Sequence, residues 1–418
     1  MRAKSIQRLM YLVGFLDLAA VMLILPLFVV HLRQLGMSPL VGGAVRSIYG
    51  VLQLITSPLL GWYSDRWGRR PVLLLCLAVS VLGYFTLGAS YSIFVMMVSR
   101  IITGIFKHST TLCKSVLADV TEVKERPRVL GLFGTSLAVA VILGPALGGN
   151  LTEYEDGFSL VCKISSAIFA LNFALCFVFL PSELPLHSGA SQNPPDNDDI
   201  TKDDTVTSQQ EKPREAHESL RNVVQIMREM DWKIFGDIFL VDFFLTFGTF
   251  CYRSSFVLLI DQMFGANPRT IGYIISFQGI IGAVAGLLTG RISKYYNDPQ
   301  FELFHGSLVQ ALAFFALTFA PNIASVILLL IPLSISGTII HTSTSNILIQ
   351  RSHPSKVGSV TGFGQSIQAV AGMTTPLLSS LAQEVSVYGP GMMASLSAIT
   401  GAVLAGFIAH KKTFKKDL

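Results

Sequence analysis

Twelve apolar segments, each about 20 residues long, constrain this 418-residue chain more than any other feature. A helix of that length and composition is what crosses the hydrocarbon core of a bilayer. Only 14% of the residues are charged, against roughly 25% in soluble domains, so much of the surface must face lipid. The sequence therefore predicts an all-α membrane protein with twelve transmembrane helices. The predicted spans are 8–31, 40–63, 71–89, 92–117, 128–150, 159–181, 234–259, 270–291, 302–321, 324–349, 357–383 and 388–410.

Lysine and arginine are concentrated in the segments on one side of the predicted membrane. They precede span 1, lie between spans 2 and 3 and between spans 4 and 5, and fill the C-terminal tail. The segments on the other side include the acidic residues Glu153, Glu155 and Asp156. Because positive residues mark the cytosolic side of a membrane protein, both termini are predicted to be cytosolic. The pattern does not distinguish the plasma membrane from an internal membrane.

The second half of the chain repeats the first at a near-constant offset. An offset of 229 residues aligns Pro39 with Pro268 and Gly43 with Gly272. Similar offsets give the pairs Gly50 and Gly279, Gly61 and Gly290, Asp17 and Asp242, Gly104 and Gly337, His108 and His341, Gly131 and Gly362, and Pro145 and Pro376. The repeat predicts two pseudo-symmetric six-helix bundles, residues 1–183 and 233–418, with a solute site between them near the membrane midplane.

A polar segment separates the two predicted bundles. Residues 184–232 are rich in proline, aspartate and serine. Because this composition cannot bury a core, a disordered cytosolic linker is expected there. The spaced apolar positions of residues 216–232 predict a short interfacial helix at its end.

The segment between spans 2 and 3 carries the most specific motif, Gly61-Trp-Tyr-Ser-Asp65-Arg66-Trp-Gly68-Arg69-Arg70. It resembles the loop signature G-x-x-x-D-R-x-G-R-R of the major facilitator superfamily. That resemblance implies the twelve-helix fold, transport by alternating access, and a latch that holds the outward-facing state. Asp65 can accept hydrogen bonds from the free amides of a helix N-terminus, for which span 11 is the candidate. A loop that serves only membrane topology is the alternative.

Two further motifs lie in spans 4 and 5. Arg100 and Gly104 resemble the family pattern R-x-x-x-G, and an arginine within a membrane span is costly and functional by default. Span 5 carries Gly131 and then Gly144-Pro145-Ala-Leu-Gly148-Gly149, which resembles the G-P-x-x-G-G signature of proton-coupled antiporters. The likeness is greatest to the tetracycline-efflux-like branch of the family and to its animal members. Gly83 stands where the tetracycline exporters carry an acid, so the resemblance does not imply tetracycline itself.

Ionisable residues within spans 1, 4, 7 and 10 mark the predicted cavity, because the family resemblance implies that these helices line it. Asp17 and Asp242 lie at equivalent positions of spans 1 and 7, and His108 and His341 at equivalent positions of spans 4 and 10. We expect the two aspartates to carry a proton in turn. A histidine would act as the relay, since histidine titrates near physiological pH.

Fixed structural pairs are the alternative for these aspartates, namely Asp17 with Lys107, and Asp242 with Arg253 or His341. Lys107 and Arg100 are seven residues apart and so share one face of a continuous helix. They are expected to hold an anionic part of the substrate. Arg253 and Arg46 are further candidates for the cavity wall, and Arg46 lies about two turns from the outer end of span 2.

These features favour a secondary active transporter of a small organic solute, coupled to protons, with antiport favoured by the span 5 motif. A transport-dead relative that acts as a sensor or scaffold is the alternative, for which the buried charges would be dispensable. An enzyme is not expected, because no G-x-S-x-G, H-E-x-x-H or Walker motif is present. The expected partners are the solute, protons and the lipid bilayer. No cofactor, metal or nucleic acid is expected, and a monomer is predicted.

Overall fold

The computed structural model describes residues 3–89, 92–122, 124–182, 232–296, 298–352 and 357–416. This part of the chain is built from α-helices joined by short turns, and it contains no strand. The predicted linker and interfacial helix lie outside the described residues, except for Trp232. The helices are α1 Ala3–Gln34, α2 Pro39–Trp67, α3 Arg69–Ala89, α4 Ile93–Phe106, α5 Ser109–Asp119, α6 Arg126–Leu151, α7 Gly157–Phe179, α8 Trp232–Phe264, α9 Pro268–Ile292, α10 Pro299–Thr318, α11 Ile323–Arg351, α12 Val357–Val385 and α13 Gly389–Lys416.

Ten helices of the described chain are long and apolar enough to cross a membrane. The twelve predicted spans correspond to these ten helices, to α12, and to the pair α4 and α5. α12 is 29 residues long but carries glutamine, serine and threonine along its length, which lowers its mean hydropathy. The structure thus has the predicted all-α architecture of twelve crossings, with one crossing broken into two helices.

Buried hydrophobic side chains form separate clusters in the two halves of the chain. One cluster draws only on residues from Ile6 to Leu180, with Tyr84, Phe133 and Phe169 among its largest fully buried members. Two others draw on residues from Phe235 to Ile408, joined by Val29 and Val30 of α1. Each half therefore packs around its own interior, and the ends of a few helices join the halves.

Contacts between the halves are concentrated at the end of the bundle opposite the chain termini, called here the distal end. This end holds the turns 35–38, 152–156, 265–267 and 386–388. α2 packs against α12, and α6 packs against α9. Ion pairs link Arg33 with Asp261 and Arg269 with Glu153 at the same end.

The two distal interfaces repeat each other residue by residue. A Cβ added to Gly43 would overlap the carbonyl oxygen of Pro376, and one added to Gly272 would overlap that of Pro145. Gly43 with Gly272, and Pro145 with Pro376, are the pairs that the sequence repeat predicts. Because only glycine allows backbones to approach so closely, the repeat is a property of the packing as well as of the sequence.

Hydrogen bonds across the interfaces follow the same symmetry. The amide of Leu377 donates to Ser47 Oγ over 3.1 Å, and the amide of Ala146 donates to Ser276 Oγ over 3.1 Å. Each donor directly follows a mid-helix proline, where helical hydrogen bonding is disturbed. Among the described residues, every hydrogen bond between the halves lies in the distal part of the bundle. The described contacts therefore join the two halves at the distal end and close it.

Candidate functional site

The crossing formed by α4 and α5 is broken at Lys107 and His108. Lys107 has φ −79° and ψ 68°, and the amide of His108 donates to the carbonyl of Phe106 over 2.8 Å. These values define an inverse γ-turn. The prediction of one continuous helix over 92–117 is therefore wrong at its centre. Arg100 and Lys107 do not share the face of a single helix, because α4 ends at Phe106 and Lys107 lies in the turn.

A side chain from α2 supports the break. Gln53 Nε2 donates to the carbonyl of Lys107 over 2.9 Å, so an oxygen left without a helical partner is satisfied. Sequence reasoning missed Gln53. The signal available was a line of polar residues at helical spacing in an apolar span, since Gln53 and Thr56 lie three residues apart on α2.

Asp17 is buried in the middle of α1 and is surrounded by donors from the break. Its side chain is 1% exposed and that of Lys107 is 7% exposed. Lys107 Nζ lies 2.5 Å from Asp17 Oδ1, Ser109 Oγ donates to the same oxygen over 2.5 Å, and Thr110 Oγ1 donates to Oδ2 over 3.1 Å. The Lys107 ammonium also lies 4.5 Å from the ring centroid of Phe169. Both buried charges are therefore compensated locally.

The break also adds electrostatic stabilisation to Asp17. α5 begins at Ser109, so its first amides have no partner within the helix and its N-terminus carries a partial positive charge. Ser109 and Thr110 are the first two residues of α5, and both donate to Asp17. A helix that starts in mid-membrane thus presents its positive end toward a buried carboxylate.

His108 lies at the break but points to α2. It is buried, and its Nε2 lies 3.0 Å from Thr56 Oγ1. The Thr56 hydroxyl has one hydrogen and donates it to the carbonyl of Leu52 over 2.8 Å. His108 must then be the donor at Nε2, which leaves Nδ1 as its acceptor when the ring is neutral. His108 and Asp17 share no direct hydrogen bond in the described structure.

Asp242, the counterpart of Asp17 in α8, has different surroundings. It is 2% exposed, and Gln368 Nε2 of α12 donates to Oδ2 over 3.2 Å. Thr246 Oγ1 lies 3.4 Å from Oδ1. The predicted ion pair with Arg253 is not formed, because 11 residues of helix place that side chain about three turns away. His341 is exposed and forms no hydrogen bond or ion pair with Asp242 in the described structure.

Three arginines lie distal to the Asp17–Lys107 pair. Arg100 Cζ lies 4.2 Å from the ring centroid of Phe28 and 5.5 Å from that of Tyr84, and its buried Nε has no hydrogen-bond partner. Arg46 of α2 donates to the carbonyl of Ser254 of α8. Arg253 is exposed and precedes Ser254. In the described part of the chain, none of the three forms an ion pair with an acid, so this region carries uncompensated positive charge.

The predicted latch motif lies at the end of the bundle that carries the termini. Asp65 is 64% exposed and pairs with Arg69, which also donates from Nε to Asp119 Oδ2 over 2.8 Å. Arg70 donates to the carbonyl of Phe177 over 2.6 Å. Within the described residues no hydrogen bond or ion pair joins this motif to the second half. Residues 353–356, which lead into α12, lie outside the described part, so the Asp65 contact with span 11 stays a prediction.

The remaining residues of the latch motif have local roles. Arg66 lies over the ring of Trp62, with 5.4 Å between Cζ and the ring centroid. Gly68 has φ 94°, a backbone conformation that glycine adopts without strain, and it allows the sharp turn between α2 and α3. Gly61 has open space around it. Within the described residues these contacts stay in the first half of the chain, and the latch role stays a prediction.

The span 5 motif holds α6 between two neighbours. Gly144 and Gly148 lie directly against Met22 and Leu23 of α1, whereas Gly149 lies against Pro268 of α9. Pro145 meets Gly272 as described above, and Gly131 has open space around it. The motif therefore joins the two halves at the distal end, and it lies away from the buried aspartates.

Comparison with known proteins identifies the family. Residues 10–376 match the model of the Major Facilitator Superfamily. "Solute carrier family 67 member A1" of Homo sapiens is 26% identical over 84% of this chain and 79% of its own length. "Tetracycline resistance protein, class H" of Pasteurella multocida is 23% identical over 90% of this chain and 88% of its own length.

Solved structures have the same fold. The crystal structure of "the human organic anion transporter MFSD10 (TETRAN)" has a TM-score of 0.59 at 20% identity, covering 97% of this chain and 100% of that one. A bacterial homologue of the human lysosomal transporter Spinster, "in Inward-facing And Occupied Conformation", has a TM-score of 0.73 at 14% identity, covering 99% of this chain and 97% of that one. With the family model matched over most of its length, the chain belongs to the Major Facilitator Superfamily and is a multi-pass membrane transporter.

Proposed function

We propose that the protein is a proton-coupled secondary carrier of a small organic anion and works by alternating access. The observation that supports this most directly is the buried Asp17–Lys107 pair at the break between α4 and α5. A buried ion pair adds little net stability, because desolvation of both groups offsets their attraction. A pair that exchanges its charges with a proton and a substrate has a reason to be kept in the membrane.

Protonation would switch this pair. A proton on Asp17 removes the negative charge that holds Lys107, and the ammonium then becomes available to an anion in the cavity. Conversely, an anion bound to Lys107 makes protonation of Asp17 more favourable, since coupling between two sites is reciprocal. Binding of the proton and binding of the anion therefore support each other, which is the condition for carrying both in the same direction.

The arginines support an anionic substrate. Arg46, Arg100 and Arg253 form no ion pair within the described chain, whereas Asp17 is already neutralised by Lys107. An anion that enters from the open end would meet Lys107 first and the arginines at the closed end. The solved human relative is described as an organic anion transporter, which agrees with this charge distribution.

Antiport of a solute against protons is the second candidate, and two observations favour it. The span 5 motif resembles that of proton-coupled antiporters, and tetracycline resistance proteins are among the relatives. Asp242 would be its site, because a buried carboxylate without a cationic partner can bind either a proton or a cationic solute. Competition for one carboxylate moves the two in opposite directions.

The membrane arrangement completes the proposal. The bundles are residues 1–183 and 233–418, the linker and both termini are cytosolic, and the chain acts as a monomer. The positive residues near the termini support this orientation. The closed distal end then faces outward, and the molecule is inward-open. In the outward-facing state the distal contacts would part and the Asp65 latch would close.

The test is the direction of proton movement in proteoliposomes. Purified wild type, Asp17→Asn and Lys107→Met are reconstituted, and internal pH is recorded while a panel of mono- and dicarboxylates is added outside. Acidification that follows an inward anion gradient in wild type and is lost in both variants is the expected result. Alkalinisation on adding organic cations, with dependence on Asp242, would replace the proposal by antiport. Solute fluxes with no pH change in any protein would reject proton coupling altogether.

A further inference from the structure

A second cavity lies at the distal end of the first half, away from the buried aspartates. Its volume is about 340 Å³, within the range of small-molecule sites. α1 lines it with Leu27, His31 and Gln34, the turn into α7 with Asp156 and Phe158, and α9 of the second half with Pro268. We call it the distal pocket.

The second half shows that the fold does not require this cavity. At the offset of 225 residues that relates Asp17 to Asp242, Leu27, His31 and Gln34 correspond to Tyr252, Phe256 and Leu259. Those three residues line the equivalent region of the second half, where only about 20 Å³ remains free. Large apolar side chains fill this region in the second half. In the first half, smaller and polar side chains leave the cavity open.

One polar group buried in the distal pocket is unsatisfied. His31 Nε2 is buried and has no hydrogen-bond partner. Its ring stacks on Phe158, with 3.9 Å between centroids and 9° between planes. A buried polar nitrogen without a partner costs free energy, which a ligand could recover.

Asp156 is exposed and places a carboxylate at the edge of the pocket. It precedes α7 with φ 52°, a left-handed conformation that is unfavourable for residues other than glycine. Its carboxylate makes no capping hydrogen bond to α7, and it forms no ion pair with any described residue. Backbone strain of this kind collects at ligand sites. Among the residues lining the pocket, Asp156 is the one with a formal charge, so the site is acidic.

We propose that the distal pocket binds a small amphiphilic organic ammonium. The ammonium group would donate to the Asp156 carboxylate and to His31 Nε2, which accepts when the neutral ring carries its proton on Nδ1. The apolar body would lie against Leu27 and Phe158. Because Pro268 completes the wall, this ligand contacts both halves only while the distal end is closed. It would therefore hold the carrier in this state and slow transport.

The experiment measures binding of 2-phenylethylamine to the purified full-length protein by isothermal titration, with 2-phenylethanol as the uncharged probe of similar shape. We expect the amine to bind more tightly than the alcohol. Asp156→Asn should weaken amine binding about tenfold, since a charge-assisted hydrogen bond is worth more than a neutral one. The matched control is Glu155→Gln, an adjacent acid that does not line the pocket.

A second variant keeps the test decisive. The double change Leu27→Tyr and His31→Phe introduces the residues of the second half and should fill the cavity, abolishing amine binding without preventing folding. Asp17→Asn and Asp242→Asn should bind the amine as wild type does, which separates this site from the proposed transport site. Equal affinities for amine and alcohol would overturn the proposal. So would equal effects of Asp156→Asn and Glu155→Gln, or loss of binding in Asp242→Asn alone.

Discussion

Asp17 and Asp242 occupy equivalent positions in the two halves, and both are buried, but the chain surrounds them differently. Asp17 has a cation, two hydroxyls and a helix N-terminus, all supplied by the break at Lys107. Asp242 has an amide and a hydroxyl at 3.2–3.4 Å, and α11 runs past it unbroken. At the repeat offset, Ile340 stands where the first half has Lys107.

The difference extends to the helix that supports the break. Gln53, which bonds the carbonyl of Lys107, corresponds to Gly282 in the second half. The distal interfaces, by contrast, share equivalent glycine contacts and an equivalent pair of amide-to-serine hydrogen bonds. The comparison teaches that backbone contacts between the halves kept the symmetry of the repeat, whereas the side chains around the buried charges diverged. Symmetric contacts suit a motion in which two rigid bundles rock against each other.

Removing the lysine should have the largest effect. Lys107→Met leaves Asp17 buried without its cation, so we expect a loss of about 3 kcal/mol of stability. Thermal unfolding in detergent measures it. The same change at the equivalent position, Ile340→Met, conserves volume and is expected to cost under about 1.5 kcal/mol. The double variant Asp17→Asn with Lys107→Met should recover most of the stability. If stability is not recovered, Lys107 stabilises the fold through packing. The electrostatic difference between the two halves would then be rejected.

The distal glycines test the symmetric part of the comparison. In Gly43→Ala or Gly272→Ala, the new methyl group overlaps a proline carbonyl of the opposite half. Each change should therefore disfavour the closed distal end by about 1–3 kcal/mol. Spin labels on the exposed residues Tyr154 and Tyr388 report the distance between the halves by pulsed resonance. We expect both variants to show the same longer distance. A shift in one variant alone would show that the two interfaces are not energetically equivalent.

The variant Gln53→Leu tests whether α2 stabilises the helix break at Lys107. It removes the hydrogen bond to the carbonyl of Lys107, and we expect a loss of about 1 kcal/mol by thermal unfolding. Transport should fall as well, because the position of Lys107 depends on the turn. Gly282→Ala at the equivalent position, where there is open space, serves as the control and should lower neither stability nor transport. If Gln53→Leu and wild type transport equally well, the turn at Lys107 forms without support from α2.

The smallest effect is expected at the exposed rim of the distal end. Glu153 accepts from Arg269, and its counterpart Glu384 lies 3.4 Å from the amide of Leu40. Glu153→Gln and Glu384→Gln should leave the unfolding temperature unchanged within error, because water and salt screen exposed pairs. If either variant clearly lowers the unfolding temperature in physiological salt, the exposed contacts at the rim stabilise the closed distal end more than the buried glycine contacts do.

Much of this architecture could be predicted from the sequence, since a membrane-spanning helix depends on local composition. The crossings and the repeat pairs at the distal interfaces follow from apolar length and from the spacing of glycine and proline. The break at Lys107 could not be predicted in the same way. No proline or glycine occupies positions 107 or 108, and the turn is stabilised by Gln53 and Asp17 from other helices.

The site residues show the same division between what the sequence predicts and what only the packed helices reveal. Sequence reasoning selected Asp17, Lys107 and Asp242, because a charge within an apolar span stands out. It missed Ser109, Thr110, Gln368 and Thr246, which are common polar residues until another helix brings them to a carboxylate. The alternative pair of Asp242 with Arg253 does not form, because helical spacing on α8 separates the two side chains.

The sequence by itself determined the family, the number of crossings and the two-fold repeat, because these depend on hydrophobicity and on motifs read along the chain. The tertiary structure decided which end is closed, which of the two aspartates has a cation, and which copy of the distal pocket stays open. Those outcomes depend on contacts between residues from 90 to 330 positions apart, such as Lys107 with Asp17, Gln368 with Asp242, and Ser47 with Leu377. Such contacts exist only once the helices pack.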